Sequence, residues 1–369
     1  MGRWYLCTLK PVGDYFFGGE HIFDLYGEEK SYFIRSERMP NQSTLVCVLR
    51  FLVLSGKRVL DDVKTPNNQV VKAKQAELIG KQGFSIDQAC KGRMDYGAIL
   101  SLSPVFLMSS TKSMTLGHRW FPTPLNHVKG AGVYSPFEMV GKKHTDISRE
   151  SILPVDYNAK KGLTDSYLDI DDDTHPVIEC AGDDPVFSYK EYTRISRNNP
   201  ENGYFKKECV HLRDDLEIAF YCEMGKADML PEREAVYLGQ DKSAFIFRSK
   251  ELDPSEDGSP IKSLTDRLSR LPGCSCADLY YAASDIYLPK GVDGQDLLYS
   301  IVKKKSFRTL NTATGSDYRS SKKRSPEYQM IHAGSVFYLS PGSTGGIIRD
   351  ADTIGMKQVG FSFLVRLEG

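Results

Sequence analysis

The chain opens on an aromatic and β-branched run, RWYLCTLK at 3–10, closed by Pro11 and Gly13, which predicts a first strand. A loop rich in glycine and aromatics, DYFFGGEHIFDLYGEE, follows. Leu45, Val48, Leu49 and Leu52 then recur at helical spacing. Ser43 or Thr44 suits the N-cap of that helix, and Gly56 ends it. Further helices are expected over 69–80 and 261–270. Residues 96–108 read as a strand interrupted by Pro104, and 109–150 as loop, being rich in Gly, Pro and Ser.

The second half alternates as strands do. Candidates are 204–207 running into 209–212, 216–223, 234–238, 243–247, 275–288, 334–339 and 360–367. Many strands with few helices predict an α+β fold of antiparallel sheet with segregated helices. No fixed-period repeat is visible, although two diverged copies of one small α+β unit fit the pattern.

The 369 residues are ample for two domains, and 40% hydrophobic content supports a sizeable core. No stretch approaches the roughly 20 apolar residues of a membrane span. The N-terminus lacks an apolar signal core with a cleavage site, so a cytosolic protein is expected. Eight scattered cysteines then read as thiols rather than a disulfide framework. Cys274 and Cys276 form a C-x-C pair, too narrow for the usual zinc spacing, and no metal or other cofactor is expected.

Formal net charge is zero, so a role with polyanions must rest on local charge. The segment 303–325, KKKSFRTLNTATGSDYRSSKKRS, supplies it: eight basic residues stand against one acid, Asp317. They include Lys304, Arg308, Arg319, Lys322 and Lys323. Such an arm can track a phosphate backbone, with Phe307 and Tyr318 available to stack on bases. The plain alternative is a solvated loop or a partner-binding arm.

A second patch, TRISRNNPENGYFKK, interleaves Arg194, Arg197, Lys206 and Lys207 with Tyr204 and Phe205. Aromatic residues among cations suit single-stranded RNA, while Asn-Pro-Glu-Asn-Gly equally reads as the turn of an ordinary hairpin. Trp120 beside Arg119 is either loop packing or a stacking platform. The acidic run 169–173 reads as a solvated loop rather than a metal cluster.

Catalytic signatures are sparse. The seven histidines show no H-E-x-x-H pattern, and neither G-x-S-x-G nor a P-loop occurs. Metal-independent RNA cleavage needs only a histidine or tyrosine near a lysine, for which His21 and His332 are the candidates.

Six stretches together resemble one family: FFGGE (16–20), SYFIRSERMPNQSTLVCVLRFLVL (31–54), GYFKKECVHLRDDLEIAFY (203–221), VYLGQDKSAF (236–245), AGSVFYL (333–339) and IGMKQVGFSFLV (354–365). In order and spacing they are similar to the third Cmr subunit of type III-B CRISPR systems, a protein of the RAMP superfamily. The resemblance implies two ferredoxin-like (RRM-like) units with antiparallel sheets, an inserted β-hairpin thumb and long loops. The expected division is 1–180 and 181–369, with the basic arm in the second unit.

The resemblance also implies a non-catalytic subunit that holds the 5′ repeat-derived tag of the crRNA. It would contact the large polymerase-type subunit and a backbone RAMP subunit, with the arm lying over guide, target RNA or a neighbour. The glycine-rich positions Gly18, Gly19, Gly334, Gly355 and Gly360 would admit RNA closely, together with Ser43 and Thr44. Arg50, Lys206, Lys207 and Lys357 would meet phosphates. Cys47 stands where the family usually has glycine in this helix. Two other classes stay open: a RAMP-type endoribonuclease that processes guide RNA, and a protein–protein adaptor.

Overall fold

The computed structural model describes residues 2–19, 21–23, 32–60, 69–81, 83–110, 117–143, 150–155, 157, 160, 162–195, 204–225, 230–239, 241–253, 259–292, 296–308, 325–343 and 346–368. The first part contains β1 (Arg3–Pro11), β2 (His21–Phe23), β3 (Tyr32–Arg35), α1 (Gln42–Gly56), α2 (Gln69–Ile79) and α3 (Ile86–Ala89). Then come β4 (Ile99–Leu102), β5 (Phe106–Ser109), β6 (Arg119–Pro122), β7 (Met139–Lys143), β8 (Glu150–Pro154), β9 (Ser166–Asp169) and β10 (Val177–Glu179). A long hairpin, β11 (Phe187–Ile195) and β12 (Tyr204–Leu212), leads to β13 (Leu216–Met224), β14 (Arg233–Leu238) and β15 (Ser243–Glu251). The last part is α4 (Pro260–Ser269), β16 (Asp278–Ala282), β17 (Leu297–Ile301), β18 (Lys304–Phe307), β19 (Tyr328–Ile331), β20 (Val336–Leu339), α5 (Ile347–Ala351), α6 (Ile354–Gln358) and β21 (Leu364–Leu367).

Two sheets carry the ferredoxin-like strand order. In the first, β1 lies between β13 and β15, β13 continues to β5, and every pairing is antiparallel. With β1, β5, β13 and β15 as successive strands, the order across the sheet is fourth, first, third, second. In the second, β16 lies between β20 and β21, and β20 continues to β17, again all antiparallel. That is the same order. Each unit keeps its helices in one crossover: α1 to α3 follow the first strand of the first unit, and α5 and α6 follow the third strand of the second. The fold is therefore α+β, as the strand-rich pattern predicts. The first sheet draws strands from both sides of residue 180.

Side-chain alternation sorts the sheets into layers. Tyr5, Cys7 and Leu9 of β1, with Ile218, Phe220 and Cys222 of β13 and Phe245 and Phe247 of β15, face Leu45, Leu49, Leu52 and Val53 of α1. The opposite face, Leu6, Ala219 and Tyr221, packs with Leu279, Tyr281, Val336 and Tyr338 of the second sheet and Leu264 and Leu268 of α4. The far side of the second sheet, Ala282, Phe337 and Leu339, takes Ile347 and Ala351 of α5. The period of two along each strand produces this: successive residues serve opposite cores. Helix α6 breaks the layering, since its Met356 belongs to the core under α1 and so ties the second unit to the first.

Two local expectations change. Ser43 and Thr44 lie inside the first turn of α1, whose N-cap is Asn41, with no side chain capping it. The 109–150 segment expected as loop contains β6 and β7 and runs into the start of β8.

Candidate nucleic-acid interface

The hairpin β11–β12 joins β3 and β2 in a separate four-stranded sheet. Its base is buried through Phe187, Val210 and Leu212, while Tyr189, Lys190, Glu191, Tyr192 and Thr193 are exposed whichever face they lie on. β11 is the outer strand of this sheet; its Lys190 and Tyr192 reach Asp14 at 3.2 and 2.8 Å, and one face of β12 is buried at Lys207 and Cys209, so the hairpin lies against the body. The pairing sets the side-chain directions. Thr193 stands opposite Lys206, and Arg194 opposite Phe205. Lys206 is exposed, with Glu191 at 3.8 Å. Lys207, one residue on, points the other way and is buried, pairing with Asp241 and lying 4.0 Å from the centre of the Phe16 ring. Of the patch read from the sequence, Arg197 and the side chain of Arg194 lie outside the described residues.

Five of the six stretches of the resemblance, spread along the chain, meet one another; the remaining one, 333–339, pairs with β16 and β17 instead. The N–H of Phe16 donates to Ser243 Oγ at 2.9 Å, and that of Phe17 to Ser36 Oγ at 3.0 Å. A Cβ on Gly19 would stand 2.4 Å from the carbonyl oxygen of Arg35, and one on Gly239 would stand 2.2 Å from that of Phe16. β12 runs parallel to β3. Gly360, with φ of 87°, packs on the start of α1, where a Cβ would meet the Gln42 amide at 2.8 Å and the Ser103 carbonyl oxygen at 2.2 Å. Gly18 also has positive φ and lies at the same loop, its carbonyl accepting from the Glu37 N–H.

A polar hub joins the basic arm to this region. Lys305 Nζ donates to Asn41 Oδ1 at 3.1 Å and to Asp285 Oδ2 at 3.3 Å, and lies 3.4 Å from Glu37 Oε2. The other oxygen of Asp285 accepts the Ala333 N–H at 3.0 Å. Burial alone would raise the Asp285 pKa, but Lys305 and His332 outweigh it and hold the carboxyl below its usual range. Burial would likewise lower Lys305, and its two carboxylates raise it instead. Lys305 thus spends its charge fastening the root of the arm to the start of α1.

The remaining candidates fall into two groups. Lys304, at the start of β18, is exposed, and Arg308 at its end pairs with Glu327. Arg319, Lys322 and Lys323 lie outside the described residues. Arg50 is spent internally: its Nη2 donates to the Ile79 carbonyl at 2.7 Å and its guanidinium lies 5.2 Å from the Tyr96 ring centre. Gly355 is the contact of α6 with α3, where a Cβ would stand 2.1 Å from the Gly92 carbonyl oxygen. Lys357 pairs with Asp352 at 2.5 Å, and Gly334 sits against Thr123. These glycines bring backbone close to backbone of the chain itself.

Sequence reasoning missed Lys305 as a hub and Arg38 as a clamp. The Arg38 Nη1 donates to Asp165 Oδ1 at 2.5 Å, its Nε to the Tyr189 hydroxyl, and its guanidinium lies 5.7 Å from the Phe187 ring centre. It so fixes the base of the hairpin. Trp120 is half-buried and its Nε1 donates to Ser109 Oγ at 3.3 Å, which is the packing alternative. The acidic run is not a solvated loop throughout: Asp169 is buried against His118, and Asp171 receives the buried Arg119 guanidinium. Among the described residues no cluster of His, Cys, Asp and Glu has the arrangement to hold a metal ion, and no helix is long and apolar enough to cross a membrane.

No family model and no curated protein matches the chain. Solved structures do. A chain in the cryo-EM structure of type III-B Cmr-beta bound to cognate target RNA has TM-score 0.41 and 12% identity, with 90% of this chain and 86% of that one covered. A chain of the Csm1–Csm4 cassette in complex with AMPPNP has TM-score 0.31 and 11% identity, covering 92% and 90%. One from the Csm3–Csm4 subcomplex of the type III-A CRISPR–Cas interference complex has TM-score 0.32 and 9% identity, covering 91% and 94%.

Proposed function

We propose that this chain is a non-catalytic RNA-binding subunit of a type III CRISPR ribonucleoprotein, and that it holds the 5′ repeat-derived tag of the guide RNA. One observation carries the reading: five of the six stretches that resemble the third Cmr subunit, distant in sequence, contact each other around the start of α1 and the foot of the β11–β12 hairpin. A resemblance of separate short runs gains weight when the runs form one physical unit.

In this reading the tag passes between the hairpin and the root of the basic arm. Lys206 and Lys304 are its phosphate partners, since both are exposed. Lys207, Arg50 and Lys305 shape the surface from beneath. The large polymerase-type subunit and a backbone subunit would cover other faces.

A holder is favoured over a nuclease by the lysine rather than by the histidine. His332 Nδ1 lies 2.6 Å from the Ala333 carbonyl oxygen, which orients the ring and leaves Nε2 to serve as a base. Lys305, however, which with His332 acts on Asp285, is bound by two carboxylates and has no charge to spare for a cleaved phosphate. The test is binding of the chain, with its neighbouring subunits, to guide RNAs with and without the tag, with RNA length read on a gel. Tag-dependent retention of intact RNA supports the reading. Cleavage that disappears on His332→Ala would replace it with the nuclease.

A further inference from the structure

One face of the first sheet is covered only in part. Around Leu6 and Tyr221 it packs on the second unit, but towards β14 it opens to solvent. The registers give the rows. Val12 follows Pro11, which stands opposite Phe245, and its N–H donates to the Ala244 carbonyl, while Ala244 pairs with Tyr237. Lys10 pairs with Ile246, which pairs with Ala235; Thr8 pairs with Arg248, which pairs with Arg233. Val236 and Leu238, between these residues on β14, point into the core under α1.

Tyr237 is 69% exposed and Val12 64%, with Ala244 and Ala235 exposed between and beside them. β14 ends the sheet, so nothing hydrogen-bonds beyond it among the described residues. Cations frame this platform. Arg233 and Lys250 are exposed, Arg248 is half-buried, and the Lys10 ammonium is held by the Leu216 carbonyl at 3.2 Å. The carboxylate on this face of the neighbouring β13, Glu217, is buried and already engaged, by Ser110 Oγ at 2.8 Å and Arg248 at 3.7 Å. The open part of the face therefore offers an aromatic ring, small apolar ground and an excess of positive charge.

We infer that this open sheet face binds unpaired RNA, with a base stacked on Tyr237 and phosphates drawn by Arg233 and Lys250. Charge complementarity selects the occupant: a protein face of ordinary composition brings carboxylates and cations together with little net charge, whereas each nucleotide brings one anion and a base that can stack. An aromatic ring standing on an open antiparallel sheet is a general way to hold a single-stranded base. Along β14, Arg233 lies about 13 Å from Tyr237, a span that one extended strand of RNA can bridge. The inference rests on the RNA-binding reading above but not on the tag, because this surface is a different one from the hairpin.

The test is fluorescence anisotropy of the intact chain with a labelled, untagged, unstructured RNA oligonucleotide and with the same sequence as a duplex. Tyr237→Ala is expected to weaken the single strand about fivefold or more, with Tyr237→Phe close to the parent and the duplex unaffected. Arg233→Glu with Lys250→Glu should lower the affinity further and flatten its salt dependence. Unchanged single-strand affinity in Tyr237→Ala overturns the proposal. So does an unchanged affinity together with loss of a subunit contact, which would make the face a protein interface. Failure of the tag reading is separable: it leaves the Tyr237 effect in place and abolishes only the preference for tagged guide.

Discussion

Lys206 and Lys207 show what a single residue step decides. Adjacent in sequence and equal in charge, they point to opposite faces of β12, and only Lys206 reaches solvent. Alternation alone could have separated them, but which face is buried depends on Phe16 and Asp241, which are remote in sequence. Lys305 is the costliest single change we expect. Lys305→Met leaves Asp285 and Glu37 without their cation, and unfolding in urea should show a loss of about 3–5 kcal/mol. The pH dependence follows from the depressed Asp285 carboxyl. Its contribution is fully present above the unfolded value near 3.9 and is lost as pH falls through the lower folded value. Urea midpoints taken from pH 6 down to 3 should therefore fall steeply in the parent below about pH 4. In Lys305→Met the carboxyl is buried without its lysine and gains from protonation, so the gap between the two proteins should narrow in acid.

At the scale of elements, legibility followed burial. α1 was readable because Leu45, Leu49 and Leu52 all face one core, and β13 because its alternate residues serve two. β11 was legible only as one arm of the hairpin alternative, since half of it is exposed on both faces and carries no period of two. β18 was hidden in the basic segment, β19 follows just beyond it and is only four residues long, and α5 and α6 are too short to show a helical period. The glycines were legible as special positions, but the partner was not. At Gly355 and Gly360 the close neighbour is the chain's own backbone. Gly360→Ala adds a Cβ where φ is positive and a carbonyl oxygen stands 2.2 Å away, so thermal unfolding should come earlier by several degrees. Gly355→Val should loosen α6 from α3 and lower stability by about 1–3 kcal/mol, with no new RNA phenotype beyond that loss.

For the molecule as a whole, two sheets of one strand order pack back to face, and each lacks the helices of one crossover. The α+β class and the antiparallel character were foreseeable from the pattern; the sharing of one core by α1, α6 and the β18–β19 hairpin was not, because it depends on contacts more than two hundred residues apart. Neutral net charge with basic residues gathered in the arm predicts a salt-sensitive interaction without general stickiness. Lys206→Glu combined with Lys304→Glu should weaken guide binding and reduce the slope of log affinity against log salt by about 2.

Comparison of guide RNA affinity with and without the 5′ tag, across a salt series and with the neighbouring subunits present, tests the central claim most directly. The account predicts that removing the tag costs at least tenfold in affinity, that binding weakens steeply with salt and that the RNA stays intact. Equal affinity for the two RNAs, or assembly with the neighbours that ignores both RNA and salt, would contradict it.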